Sequence, residues 1–318
     1  MKQLMEAARV ALTDCMAVKR GENVIVICDE PLRRVGQAFW QVARELAADA
    51  IFCEIMPRST NGEEPPKAVA ALLAACDVFV IPTSKSLSHT DARRQACAKG
   101  ARGATLPGIT EDSMKRTLRA DYKEIEERTR RVAAAVTGKA TARVTTALGT
   151  DITMSIKGRA CHEDTGIVTA RGAFSNLPAG EGYLAPIEGS AEGVMVIDGS
   201  CAGVGVVSGE PIRIEVAGGL ATKIEGGRGG TELLALVSQF GQEARNIAEL
   251  GIGTNHAARL TGSILEDEKV MGTVHIALGD NISMGGKVSV PSHLDLIIKD
   301  PTLTLDGKDL IKNGKLLI

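Results

Sequence analysis

Short β-branched runs alternate with helical segments through the first part of the chain. NVIVIC (23–28), IFCEIM (51–56) and DVFVIPT (77–83) read as strands. Between and after them, RRVGQAFWQVARELAAD (33–49), PKAVAALLAAC (66–76) and TDARRQACAKG (90–100) carry apolar residues at helical spacing. Strands fed by helices in this rhythm predict an α/β domain with a mainly parallel sheet covered on both faces. A charged helix, DYKEIEERTRRVAAAVTGK (121–139), reads as the bridge between the two halves of the chain, its charges forming a solvated face. Beyond residue 140 the pattern becomes strands with frequent glycines, and D-G and N-G dipeptides between alternating runs predict hairpins. One helix is expected to interrupt them, over 230–250. The expected division is an α/β domain over 1–138 and a β-rich α+β domain over 139–318.

Length and composition fit this picture, because 318 residues exceed what one hydrophobic core usually serves. A net charge of -2 gives no electrostatic reason to expect nucleic acid or an anionic membrane as partner, and 3% aromatics argue against a stacking platform for bases. No apolar run approaches the roughly 20 residues that span a bilayer. Glu6 and Asp14 interrupt the apolar N-terminal segment, which therefore reads as an amphipathic helix and not a secretory signal, so a cytoplasmic location is expected. Cysteines 15, 28, 53, 76, 97, 161 and 201 are scattered singly and read as reduced, packed thiols.

No G-x-G-x-x-G follows any strand, which removes the phosphate cradle of dinucleotide binding. The candidate chemistry lies in the second half. His275 stands in the apolar run VHIALG, and His293 and Asp295 stand at i and i+2 in SHLDLI, on one side of a strand. Glu181 lies in the turn-rich NLPAGEGYLAP, and Glu249 lies at the end of the expected helix in RNIAELGIGTN. A buried carboxylate beside imidazoles is costly without compensation, and a divalent cation compensates it. Imidazole and carboxylate ligands without thiolates suit zinc, iron, cobalt or manganese. Asp280 and Asn281 read as a turn, and Glu266, Asp267 and Glu268 as a solvated turn before the histidine strand.

The segments NLPAGEGYLAP, RNIAELGIGTN, ILEDEKVMGTVHIALGDN and VPSHLDLI resemble, in the same order, active-site segments of the aminopeptidase T family of metallo-aminopeptidases. That resemblance implies a homodimer, a peptide or other small-molecule substrate, and two divalent ions (Zn, Co or Mn). The implied metal ligands are Glu181, Glu249, His275, His293 and Asp295, with Glu181 and Glu249 also as catalytic carboxylates. The implied activity is removal of N-terminal residues from peptides by metal-bound hydroxide. That family also carries an active-site tyrosine shortly after the histidine, whereas this chain reads HIALGDNIS there and has only Tyr122 and Tyr183. The same residues support a second reading. His275, His293 and Asp295 form the two-histidine, one-carboxylate set of non-haem Fe(II) oxygenases, as in the dihydroxypyridine ring-cleaving dioxygenases, which are similar to the same family. A third is a non-catalytic binding protein with a degenerate metal site.

Overall fold

The structure, a computed structural model, describes residues 1–47 and 49–318. These residues pack into two compact units, one of Met1–Glu126 with Asp164–Ala179, the other of Glu127–Glu163 with Gly180–Ile318.

The first unit is built on a five-stranded sheet in the spatial order Asp49–Ile55, Asn23–Asp29, Val78–Ile81, Arg102–Thr105 and Phe174–Asn176, with every pairing parallel. Asn23–Asp29 is buried at every position from Val24 onward, as a strand covered on both faces must be. Ile25, Ile27, Phe79 and Ile81 pack against Val69, Leu73, Ala92 and Ala96 of the helices Lys67–Leu73 and Asp91–Ala98. On the opposite face Gly36, in the helix Arg33–Leu46, lets that helix approach Cys28 so closely that an added Cβ would fall 2.9 Å from the sulfur. Ala48, inside the helix expected over 33–49, lies outside the described residues. Thr90 caps Asp91–Ala98, its side chain accepting from the Arg93 N–H at 3.3 Å. The fifth strand, Phe174–Asn176, was not legible as one: three residues in a glycine-rich stretch carry no periodicity of their own.

The second unit packs two antiparallel sheets. Eight strands run in the order Leu220–Glu225, Ile212–Ala217, Glu192–Ile197, Asp151–Ser155, Thr141–Thr145, Thr302–Leu305, Lys308–Lys312 and Lys315–Leu316. Seven run in the order Gly205–Val206, Ser200–Cys201, His293–Ile298, Val274–Gly279, Ile247–Gly253, Glu181–Leu184 and His162–Asp164. Val144, Ile152, Met154 and Met195 of the first sheet share a core with Leu250, Ile252, Val274, Ile276 and Leu296 of the second. The C-terminal hairpins turn at Asp306-Gly307 and Asn313-Gly314, all four residues at positive φ, the conformation that suits two-residue turns to twisted strands.

The helix expected over 230–250 is corrected. It spans Gly227–Ser238, and Ile247–Gly253 is a central strand buried at all seven positions. An apolar run covered on both faces loses the alternation that marks a strand, so IAELGIG reads as a continuation of the helix until its neighbours are known. Glu249 therefore sits within a strand and not at a helix end.

Burial pushes the thiols of Cys28, Cys76, Cys161 and Cys201 up to about 12, and all seven cysteines are unpaired. Native protein exposed to a maleimide at neutral pH is expected to label at most at Cys53 and Cys97, both half-buried. Peptide mapping that found any of those four thiols modified before unfolding would contradict this packing.

Candidate metal centre

Strand register decides which side chains meet. In the seven-stranded sheet His275 lies opposite Gly251, Ala277 opposite both Glu249 and Asp295, and Gly279 opposite His293. Gly251 also pairs with Tyr183, and Gly253 with Glu181. Directly opposed residues project to the same side, so Glu181, Tyr183, Glu249, His275, His293 and Asp295 share the face away from the core. The intervening positions on that face are Gly251, Gly253, Ala277 and Gly279, small enough to leave it clear. A Cβ on Gly251 would overlap the His275 ring at Nε2. Gly251→Ala is accordingly expected to displace that ring, weakening metal binding at least tenfold and costing about 1–3 kcal/mol of stability through overpacking. Isothermal metal titration beside a thermal melt checks both effects.

The side chains converge closely. His275 Nε2 lies 3.3 Å from Glu249 Oε1 and 3.3 Å from Glu181 Oε2. His293 Nε2 lies 3.1 Å from Glu249 Oε2 and 3.4 Å from Asp295 Oδ1. Two candidate ligand groups result, Glu181–Glu249–His275 and Glu249–His293–Asp295, each with its donor atoms within 4.8 Å of one another. Glu249 belongs to both, one oxygen toward each imidazole. All five residues named from the sequence are thus brought together, through Glu249's place in a strand and Glu181's at the start of another.

The ring of His293 is oriented from behind: Nδ1 donates to the Asp280 carbonyl oxygen at 2.8 Å, which leaves Nε2 of the neutral ring as the nitrogen able to bind a metal. The turn supplying that carbonyl is pinned by Asn281, which donates to Glu188 Oε1 at 2.9 Å and accepts from the Val288 N–H at 2.9 Å. The D-N pair is both the expected turn and the positioning element for His293, a candidate ligand.

Sequence reading missed Lys269. Its side chain is 2% exposed, and its ammonium donates to Glu181 Oε1 at 2.5 Å and lies 2.9 Å from Glu268 Oε1. The acidic segment before the histidine strand is not a solvated turn. Glu266 and Asp267 are buried, Glu266 accepting from the Arg259 N–H and Asp267 from the N–H groups of Thr261 and Gly262. The signal available was a lysine directly after three acids in an otherwise apolar stretch. His256 lies off the site, its Nδ1 3.4 Å from Arg128, and His162 stacks on Tyr183 with ring centroids 5.2 Å apart.

The electrostatics favour a bound cation. Burial pushes Glu181 up to about 8 and Glu268 up to about 7, against the pull of Lys269. Burial also opposes ionisation of Glu249, yet hydrogen bonds from His275 and His293 outweigh it and hold this carboxyl well below the usual range. Burial would lower both imidazoles, but Glu249, Glu181 and Asp295 raise His275 to about 9, and Asp295 and Glu249 raise His293 well above its ordinary value. Glu181 Oε2 is buried without a hydrogen-bond donor. Four carboxylates around two imidazoles, one oxygen unsatisfied, fit a divalent ion bound by nitrogen and oxygen donors. The buried histidine, glutamate and aspartate groups can therefore hold metal.

A family model described as NicX, 2,5-dihydroxypyridine 5,6-dioxygenase, matches residues 3–318. No curated protein matches the chain. Among solved structures, 2,5-dihydroxypyridine dioxygenase from Pseudomonas putida KT2440 superposes with a TM-score of 0.85 at 20% identity, covering 99% of this chain and 97% of that one. Wild-type AmpT from Thermus thermophilus superposes with a TM-score of 0.71 at 15% identity, covering 100% and 99%. At these identities both likenesses speak to the fold. Among the described residues no helix is long and apolar enough to cross a membrane. The aminopeptidase reading is corrected by the family match: the segments that carried it belong to a fold that AmpT and the dioxygenase both resemble, and the peptidase tyrosine is absent from this chain. The protein is an enzyme of the NicX type and not a peptidase, and over essentially its whole length the chain belongs to the 2,5-dihydroxypyridine 5,6-dioxygenase family.

Proposed function

We propose that this protein opens the ring of 2,5-dihydroxypyridine with dioxygen, using Fe(II) held among Glu249, His275, His293 and Asp295. The observation that carries the reading is the convergence of two imidazoles and a carboxylate pair on one sheet face, in a chain matched throughout by the dioxygenase family. When bound to such a set, Fe(II) supplies the redox chemistry that lets dioxygen react with an electron-rich ring.

The chain's own residues have separable tasks. Asp280 fixes the His293 tautomer, and Lys269 holds Glu181 in place. Glu181, whose Oε2 has no hydrogen-bond donor and whose carboxyl is pushed up to about 8, is the group placed to exchange a proton with a substrate hydroxyl near neutral pH. His293, with 32% of its side chain exposed against at most 11% for Glu181, Glu249, His275 and Asp295, marks the open edge of the site. The stacked Tyr183 and His162 provide a flat wall on the same sheet, suited to a planar ring. Tyr183→Leu is expected to raise KM for the ring substrate roughly 2- to 10-fold, the equivalent of the ~0.5–1.5 kcal/mol of an aromatic pair, with a smaller change in kcat.

Disappearance of the substrate chromophore tests the function. Protein loaded anaerobically with Fe(II) is expected to consume 2,5-dihydroxypyridine once air is admitted and to leave aminoacyl chromogenic substrates intact. Loaded, folded protein that leaves the ring untouched would overturn the reading.

A further inference from the structure

Asn281 is fully buried, although it stands in a turn whose next residue, Ile282, is 49% exposed. A carboxamide is buried at little cost only when its hydrogen bonds are made, and the loop is built around those of Asn281. It donates to Glu188 Oε1 and accepts from the Val288 N–H, both at 2.9 Å, and a Cβ on Gly286 would overlap it. Glu188 lies in the turn after the strand Glu181–Leu184, and its Oε1 also accepts from the Lys287 N–H at 2.8 Å. Its Oε2 accepts from Arg159 at 2.9 Å, and Arg159 donates in addition to the Gly285 carbonyl oxygen. The side chains of this ion pair are 13% and 21% exposed, so water screens it less than a surface pair. Burial would raise Glu188, but backbone N–H groups including that of Lys287, with Asn281 and Arg159, hold its carboxyl below the usual range. The residue before Asn281 supplies the carbonyl to which His293 Nδ1 donates at 2.8 Å. One carboxylate thus gathers both ends of the turn 281–287, and the same turn carries the acceptor that orients His293.

We infer that Glu188, clamped by Arg159, is a positioning residue for His293, acting through Asn281 and the Asp280 carbonyl to fix the ring before any ion arrives. Without that anchor the turn would keep only its own backbone hydrogen bonds, and the acceptor behind the ring would move with it. The inference deepens the metal-centre part of the proposed function and does not depend on its substrate.

Two substitutions break the link from opposite sides. Glu188→Gln keeps the shape but turns an NH2 toward either Arg159 or the Asn281 and Lys287 donors, so contacts are lost whichever way the amide lies. Gly286→Ala displaces the Asn281 side chain. Each is expected to weaken Co(II) binding by the full chain about 10- to 100-fold, as removal of a partner behind a metal ligand does, read by competition with a chromophoric chelator. Added to His293→Ala, neither should weaken binding further, because effects routed through one residue are not additive. Circular dichroism checks that the variants fold. Should both fail to fold, the wild type decides: in metal-free protein the Lys287 and Val288 amides are expected to be protected from hydrogen exchange. Exchange there at the rate of an unstructured peptide would overturn the inference. So would unchanged Co(II) affinity in the folded variants, or an equal loss with and without His293, which a merely structural clamp would give. Wild type that binds no Co(II) would overturn the metal centre and this inference with it. The expected losses in a protein that leaves the ring substrate untouched would support the clamp and overturn ring cleavage alone.

Discussion

Alanine in place of His293 is expected to weaken binding of the divalent ion by more than about 100-fold, beyond what loss of an orienting partner behind a ligand usually costs. Its Nε2 is close to both Glu249 and Asp295, so no other described side chain in the Glu249–His293–Asp295 group offers a nitrogen to replace it. The fold should survive, because this residue begins a strand at the open edge of the site while Leu296, Ile297 and Ile298 further along remain fully buried. Competitive titration against a chromophoric chelator reads the affinity, and a thermal melt of the metal-free protein reads the fold. Unchanged affinity with an unchanged melt would remove His293 from the ligand set. Asp280 offers a graded control through its carbonyl, since side-chain substitutions there should leave the His293 hydrogen bond in place.

The second large effect is a pH dependence carried by the metal-free protein. His275 has a folded-state pKa of about 9, raised above its ordinary 6.5 because Glu249, Glu181 and Asp295 outweigh its burial. The stabilisation from its charged form is fully present below about 6.5 and is lost as pH rises through about 9, a span worth on the order of 3 kcal/mol. Glu181 and Glu268 act in the same direction: buried carboxyls pushed up to about 8 and about 7 are ionised at a cost to the fold once pH exceeds their ordinary range. Glu249 acts oppositely, but its held-down carboxyl loses its contribution only in strong acid. The melting temperature of the apoprotein should therefore fall steadily between about pH 6.5 and 9. A bound ion requires neutral imidazoles and ionised carboxylates, the state that higher pH favours, so the gap in melting temperature between loaded and metal-free protein should widen over the same interval. Glu249→Gln should flatten the apoprotein curve by removing the principal partner of His275. An apoprotein melt independent of pH there would mean that these groups are not packed against one another.

How much of this was readable beforehand depended on what each residue needed in order to declare itself. His275, His293 and Asp295 did so locally, as polar groups in apolar strands, and the i, i+2 spacing of the last two placed them on one face. Glu249 was singled out but set on the wrong element, because a strand buried on both sides has the composition of a helix core. Lys269 was hidden by its neighbours: beside three acids it reads as a surface residue, and only the path of the loop shows it entering the site. The parallel strand Phe174–Asn176 depends on a distant edge, Arg102–Thr105, that no local pattern announces. Chemistry was the hardest part, because AmpT and the dioxygenase share the fold with this chain. The informative local sign was negative, the lack of a tyrosine after His275; the phenol on the site face is Tyr183, two strands away across Gly251.

If the protein is a ring-cleaving dioxygenase, both atoms of dioxygen must enter the ring-opened product. Single-turnover reaction of the Fe(II)-loaded protein with 2,5-dihydroxypyridine under ¹⁸O₂, read by mass spectrometry, decides this. A product carrying two labelled oxygens is expected, with His293→Ala giving none. A product with one label or none from the folded, iron-loaded wild type would contradict ring cleavage by dioxygen.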